Sequence, residues 1–272
     1  MTTAALRGHS ANLVGLPTDL LASAAFNDTP LPLRIRGVHE SHARLFDLLA
    51  AAGSHADAAN YFQGYMDATF RLQQTPDAAG ARVRRFRASY LRLLKGWGYD
   101  SNSREGAVLK GWVESRFGLF PTFHKTALTR FASGAWSRYV EEKMSSRFST
   151  NDIYTQLDLL YEFCQWSLAR WFLPGQHHLT LYRGVNDFCE DALRRGQSRP
   201  RSGQVLARLN NLVSFTARRN IAGEFGDAIL EARVPKAKIL FFNDLLPHHA
   251  LKGEAEYLVI GGDYRVTVSY GF

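Results

Sequence analysis

Cysteine is almost missing from this chain: Cys164 and Cys189 are the only two in 272 residues. Both sit in apolar-periodic segments, YEFCQW and NDFCEDAL. Two cysteines exclude a disulfide framework and a cysteine zinc site, and they read as reduced thiols of a cytosolic protein. Long apolar runs are missing too. No stretch approaches the roughly 18 apolar residues of a transmembrane helix, and the opening MTTAALRGHSANLVGL has no charged-then-apolar leader. The common nucleotide and hydrolase fingerprints are also absent. There is no G-x-G-x-x-G after a strand pattern, no G-x-x-x-x-G-K-S/T, no H-E-x-x-H and no G-x-S-x-G. Nucleotide chemistry, if present, therefore runs by neither the Rossmann nor the P-loop route. His39 and His42 stand at i, i+3 beside Glu40, but no third ligand is near them. They read as a surface helix, and no metal site is expected.

What is present is globular composition, 46% hydrophobic and 21% charged, with 33 basic against 25 acidic residues and a net charge of +8. That balance favours an acidic partner without choosing one. The periodicity changes near residue 175. Before it, helical spacing predicts helices over Val38–Ala52, Asp57–Gln73 with Asp57 as N-cap, Ala79–Trp97, Ser103–Phe117, Thr129–Arg147 and Asp152–Phe172, the last stopped by Leu173-Pro174-Gly175. After it, alternation predicts strands at His178–Arg183, Asn211–Thr216, Ala228–Val234, Lys238–Phe242, Glu256–Ile260 and Arg265–Tyr270, with short helices at Asp187–Arg195 and Arg218–Phe225. The class is α+β. A mainly helical region, 1–175, precedes a β-rich region, 176–272, the two forming one integrated unit.

The Ala79–Trp97 helix puts Val83, Phe86, Tyr90, Leu94 and Trp97 on one face and Arg82, Arg84, Arg85, Arg87, Arg92 and Lys95 elsewhere. A solvated arginine face, a nucleic-acid footprint and a docking face for an acidic protein all fit that pattern.

Three pieces of the second half carry chemistry. Glu254 and Glu256 stand at i, i+2 of a strand start and so share a face. They follow a loop containing Pro247, His248 and His249. A solvated strand start and an acid/base pair are both open readings. Arg183 at a strand end beside Gly184 suits a phosphate, or equally a structural ion pair. Ser214 and Thr216 share one strand face around Phe215.

Taken in order, Arg183, Ser214-Phe215-Thr216 and Glu254-Ala255-Glu256 resemble the Arg–Ser–Glu motif of mono-ADP-ribosyltransferases. Thr216 stands where many relatives have serine, and it keeps the hydroxyl. Glutamate at the first position of Glu-x-Glu resembles the arginine-modifying branch. The longer strings LYRGVND, NNLVSFTARRNIAGEFGDAI and KGEAEYLVIGGDYRV are similar to the dinitrogenase reductase ADP-ribosyltransferases of nitrogen-fixing bacteria.

That resemblance implies the family's split β-sandwich with the helical half packed on it, NAD as substrate, and a cytoplasmic pentosyl transfer to an arginine of dinitrogenase reductase. The transfer would inactivate that protein and so regulate nitrogen fixation. It also implies control by a PII-type signalling protein. Glu256 would stabilise the cationic ribose centre and Glu254 would orient and deprotonate the acceptor arginine. Arg183 would meet an NAD phosphate, Gly184 the nicotinamide amide, and Ser214 would support Glu256. Phe215, Thr216 and Asn211 join the NAD-binding set. Phe225 stacks on nicotinamide or is a core residue. Another protein target, or a binding module that has lost activity, are the rival readings.

Overall fold

The computed structural model describes residues 7–72, 89–145, 150–188, 203–247 and 256–270. Cys189, His248, His249, Glu254 and the arginines Arg82, Arg84, Arg85 and Arg87 lie outside them. The described part is α+β: helices fill the N-terminal half, and a five-stranded antiparallel sheet forms the C-terminal half.

The helices are α1 (Thr18–Ala22), α2 (Ala24–Asp28), α3 (Val38–Ser41), α4 (Ala43–Ala50), α5 (His55–Phe70), α6 (Tyr90–Tyr99), α7 (Arg104–Phe117), α8 (Gly134–Ser145) and α9 (Asn151–Ser167). Side-chain caps set their starts. The hydroxyls of Ser54, Ser103 and Thr150 accept from the backbone N–H of Asp57, Gly106 and Ile153. The helix expected over Val38–Ala52 breaks into α3 and α4 at His42, whose ring bonds Tyr65 at 3.0 Å. His39 reaches instead to Glu162, 3.0 Å away on α9. No helix among the described residues is long and apolar enough to cross a membrane.

Helix α9 is the spine of the helical half. Its Asp158 takes a two-point contact from Arg116 of α7 (2.7 and 2.8 Å) and a bond from the Trp112 indole. Tyr161 and Gln165 bond the carbonyls of Ala237, Lys236 and Ile239, which tie α9 to the sheet. Cys164 points to the same place, and burial pushes its thiol up, which keeps it protonated and inert. After α9 the chain widens into a π-turn at Leu168–Phe172, closed by the Leu173 N–H on the Leu168 carbonyl, before the sheet begins.

The short pair β1 (Phe123–His124) and β2 (Thr126–Ala127) precedes the main strands β3 (His178–Val185), β4 (Gln204–Thr216), β5 (Ala228–Pro235), β6 (Ile239–Phe242) and β7 (Glu256–Tyr270). A one-turn helix, α10 (Arg219–Gly223), links β4 to β5. Strand β7 pairs with β4 along its length, from Thr216↔Glu256 to Gln204↔Thr267. Its other edge changes partner: β6 borders Tyr257–Val259, and β5 borders Val266–Tyr270. A single pair, Tyr182↔Thr216, brings β3 back onto β4.

The change of partner occurs at Gly261-Gly262. A Cβ on Gly261 would fall 1.6 Å from the Asn210 carbonyl oxygen, and Gly262 has φ +119°. These glycines, expected to separate two strands, instead lie within one strand opposite the bulge between Leu209 and Leu212.

Lys238 is buried under this bulge. Its ammonium donates to the Gly261 carbonyl at 3.1 Å and lies between the Phe26 and Tyr264 rings. Burial pushes its pKa from 10.5 down to about 7, against the pull of Asp263. Between about pH 7 and 10 the unfolded chain therefore holds a proton that the folded chain releases, so stability rises with pH across that window. Buried Lys110, lowered to about 8, acts in the same direction. Chemical unfolding should show a gain of order 1–2 kcal/mol from Lys238 between pH 7 and 9. Lys238→Met should remove that gain and be no less stable at pH 7.

Candidate active site

Arg183 comes from β3, Ser214 and Thr216 from β4, and Glu256 opens β7. Antiparallel pairing sets Tyr182 opposite Thr216, and Thr216 opposite Glu256. Arg183 and Glu256, 73 positions apart, thus come together because three adjacent strands end together. The Ser214 hydroxyl donates to Glu256 Oε1 at 2.5 Å, and Arg183 Nη1 donates to the Ser214 carbonyl at 2.7 Å. Burial lowers the Arg183 pKa while the Glu256 charge holds it up, and the guanidinium stays charged. Glu256 is buried. It is therefore not a solvated strand start.

A third partner comes from the helical half. The Trp97 indole N–H on α6 donates to the Ser214 hydroxyl at 2.8 Å. Sequence periodicity assigned Trp97 to an apolar face, and no local pattern marks an indole that will meet a serine 117 positions away.

Arg183, Ser214 and Trp97 line a cleft of about 380 Å³, together with Lys110, Phe123 and Asn210. Lys110 is a second cation on this wall, held by the Asn102 side chain, the Phe123 carbonyl and His124. Burial lowers the pKa of His124, and Lys110 adds to that. Among the described residues no carboxylate lies within ion-pair distance of Lys110, whereas Arg208 on the same wall is paired with Asp263. Two cations, one without a carboxylate, fit the two negative charges of a dinucleotide's diphosphate.

The other expected site residues separate into groups. Phe215 faces away from the cleft and packs on Tyr264 in the core. Asn211 is buried outside the cleft, and its amide donates to the carbonyls of Lys110 and Leu119. These two residues hold β4 to the layers behind it. Thr216 is buried, and its hydroxyl accepts from the Arg218 N–H as the chain turns into α10. Gly184 has a packing reason to be glycine: a Cβ there would lie 2.0 Å from the Ala222 carbonyl oxygen of α10. Phe225 follows α10 and is 53% exposed, so it is not a core residue. Glu254 lies outside the described residues.

An arginine, a serine and a glutamate thus meet at three adjoining strand ends, the first two of them lining the cleft, in the order the Arg–Ser–Glu motif implies. The model of the dinitrogenase reductase ADP-ribosyltransferase family matches residues 11–268, and the chain belongs to that family. It is 60% identical, over 97% of its own length and 96% of the relative's, to an NAD(+)–dinitrogen-reductase ADP-D-ribosyltransferase from Rhodospirillum rubrum. No solved structure matches the chain.

Proposed function

We propose that this protein transfers ADP-ribose from NAD to an arginine of dinitrogenase reductase, and thereby switches nitrogen fixation off. The observation that carries this reading is the Arg183–Ser214–Glu256 contact set beside the cleft that Arg183 and Ser214 line, in a chain of this family. NAD supplies an activated ribose whose leaving group, nicotinamide, departs with the electron pair of the broken C–N bond. The chain's own groups do the rest. Glu256, anchored by Ser214, accepts a hydrogen bond from a ribose hydroxyl and faces the positive charge that develops at the ribose carbon. Arg183 and Lys110 hold the diphosphate, and Phe225 stacks on the nicotinamide ring.

The acceptor guanidinium is a poor nucleophile while charged, because its pKa exceeds about 12. Glu254 binds it, aims it and takes the proton released as the new C–N bond forms. The bulky anionic product on a surface arginine would block docking of the modified protein on its electron acceptor. The reaction belongs in the bacterial cytoplasm, where NAD and the protein substrate meet. Control by a PII-type signalling protein is part of the same proposal and rests on the family resemblance.

The test uses NAD labelled in its adenylate part, the purified protein and dinitrogenase reductase, followed by peptide mass mapping. ADP-ribose on one arginine of dinitrogenase reductase is the expected result. NAD hydrolysis with no labelled acceptor would reject the target.

A further inference from the structure

The polarity of the hydrogen-bond chain at the site is fixed by chemistry. An indole N–H only donates. The Ser214 hydroxyl therefore spends a lone pair on Trp97 at 2.8 Å and keeps one proton to give. Among the described residues, the acceptor within reach is Glu256 Oε1, at 2.5 Å. A serine hydroxyl without the indole is free to rotate, and it can accept as readily as it donates. With the indole in place, the direction Trp97 to Ser214 to Glu256 is the one the described residues allow.

Trp97 is held firmly enough to impose this. It is 3% exposed, on a helix whose Leu93 and Leu94 are fully buried. The Lys110 ammonium, pinned by three neighbours, lies 5.9 Å from the indole ring centre.

From this geometry we infer that Trp97 is a positioning residue for the transferase reaction. Its N–H orients the Ser214 hydroxyl so that the hydroxyl proton points at Glu256, which keeps that carboxylate ionised and in one orientation. The inference rests on the reading of Glu256 as the catalytic carboxylate. It gives the helical half a direct part in the chemistry, because the placement of α6 is transmitted to Glu256 through one side chain.

A double-mutant cycle in acceptor-free NAD hydrolysis tests it, using Trp97→Phe, Ser214→Ala, the double variant and Glu256→Gln. Trp97→Phe should lower kcat about tenfold with KM for NAD changed by less than about twofold, the scale of one charge-assisted hydrogen bond. Because Trp97 acts through Ser214, the double variant should be no slower than Ser214→Ala alone. Donation to a carboxylate favours its charged form, so losing the donor raises the carboxyl pKa. The acid limb of the kcat–pH profile should therefore move to higher pH in both single variants.

The tryptophan isostere with sulfur in place of the indole N–H keeps the ring volume and should behave as Trp97→Phe does. If the isostere runs at the wild-type rate, or if the two single losses multiply with the acid limb unmoved, Trp97 is only packing and the inference fails. If Glu256→Gln hydrolyses NAD at the wild-type rate, the reading beneath the inference is what fails.

Discussion

Glu256→Gln is expected to lower NAD hydrolysis and ADP-ribosyl transfer together, each by about 10²–10³-fold. The substitution keeps the shape of a buried side chain that pairs across from Thr216 at the start of β7. The fold should survive it, since the β4–β7 ladder is made of backbone. What is lost is a fixed negative charge at the point where the ribose turns cationic. That charge matters more in the transition state than in the ground state, so kcat should fall far more than KM for NAD rises. The Ser214 hydroxyl bonds the Glu256 carboxylate directly. Ser214→Ala should consequently cost less than Glu256→Gln, because it loosens the carboxylate without removing it.

Glu254→Gln should separate the two activities. Transfer to dinitrogenase reductase should fall by about 10²–10⁴-fold, the scale of a lost general base, while NAD hydrolysis continues. Water reaching the cationic ribose needs little help once the nicotinamide bond has broken. A guanidinium needs to be aimed and to lose a proton. The two glutamates, two positions apart in the sequence, would then divide the reaction between bond breaking and acceptor choice.

Much of this was legible in the chain. The switch from helical to alternating periodicity near residue 175 matches the passage from α9 to β3. The three motif pieces stand out because a charged or hydroxyl residue at a strand end is a local feature. Errors arose where a local signal has a distant cause. Asp57 resembles an N-cap, but Ser54 takes that place and Asp57 bonds back to it at 2.7 and 3.1 Å. Gly261-Gly262-Asp263 resembles a turn, but the glycines are required by the Asn210 carbonyl across the ladder and by the backbone of Ala22. The first half of β4, Gln204–Asn210, carries no strand signal, because Gln204, Arg208 and Asn210 interrupt its alternation and are satisfied by tertiary partners or left exposed.

The site shows the same limit. Phe215 lies within the serine motif and Asn211 three positions before it, yet strand alternation and the bulge turn them away from the cleft. Trp97 and Lys110 belong to the cleft and carry no motif at all. Only the packing of α6 and α7 against β4 brings them there. A linear pattern finds residues gathered at strand ends, and it misses those delivered by another layer.

The most direct measurement follows nicotinamide release and labelled dinitrogenase reductase in the same reaction, for wild type, Glu254→Gln and Glu256→Gln. The account predicts both products from wild type, nicotinamide with little labelled protein from Glu254→Gln, and both products cut about 10²–10³-fold in Glu256→Gln. Labelled protein from Glu256→Gln at the wild-type rate would contradict it.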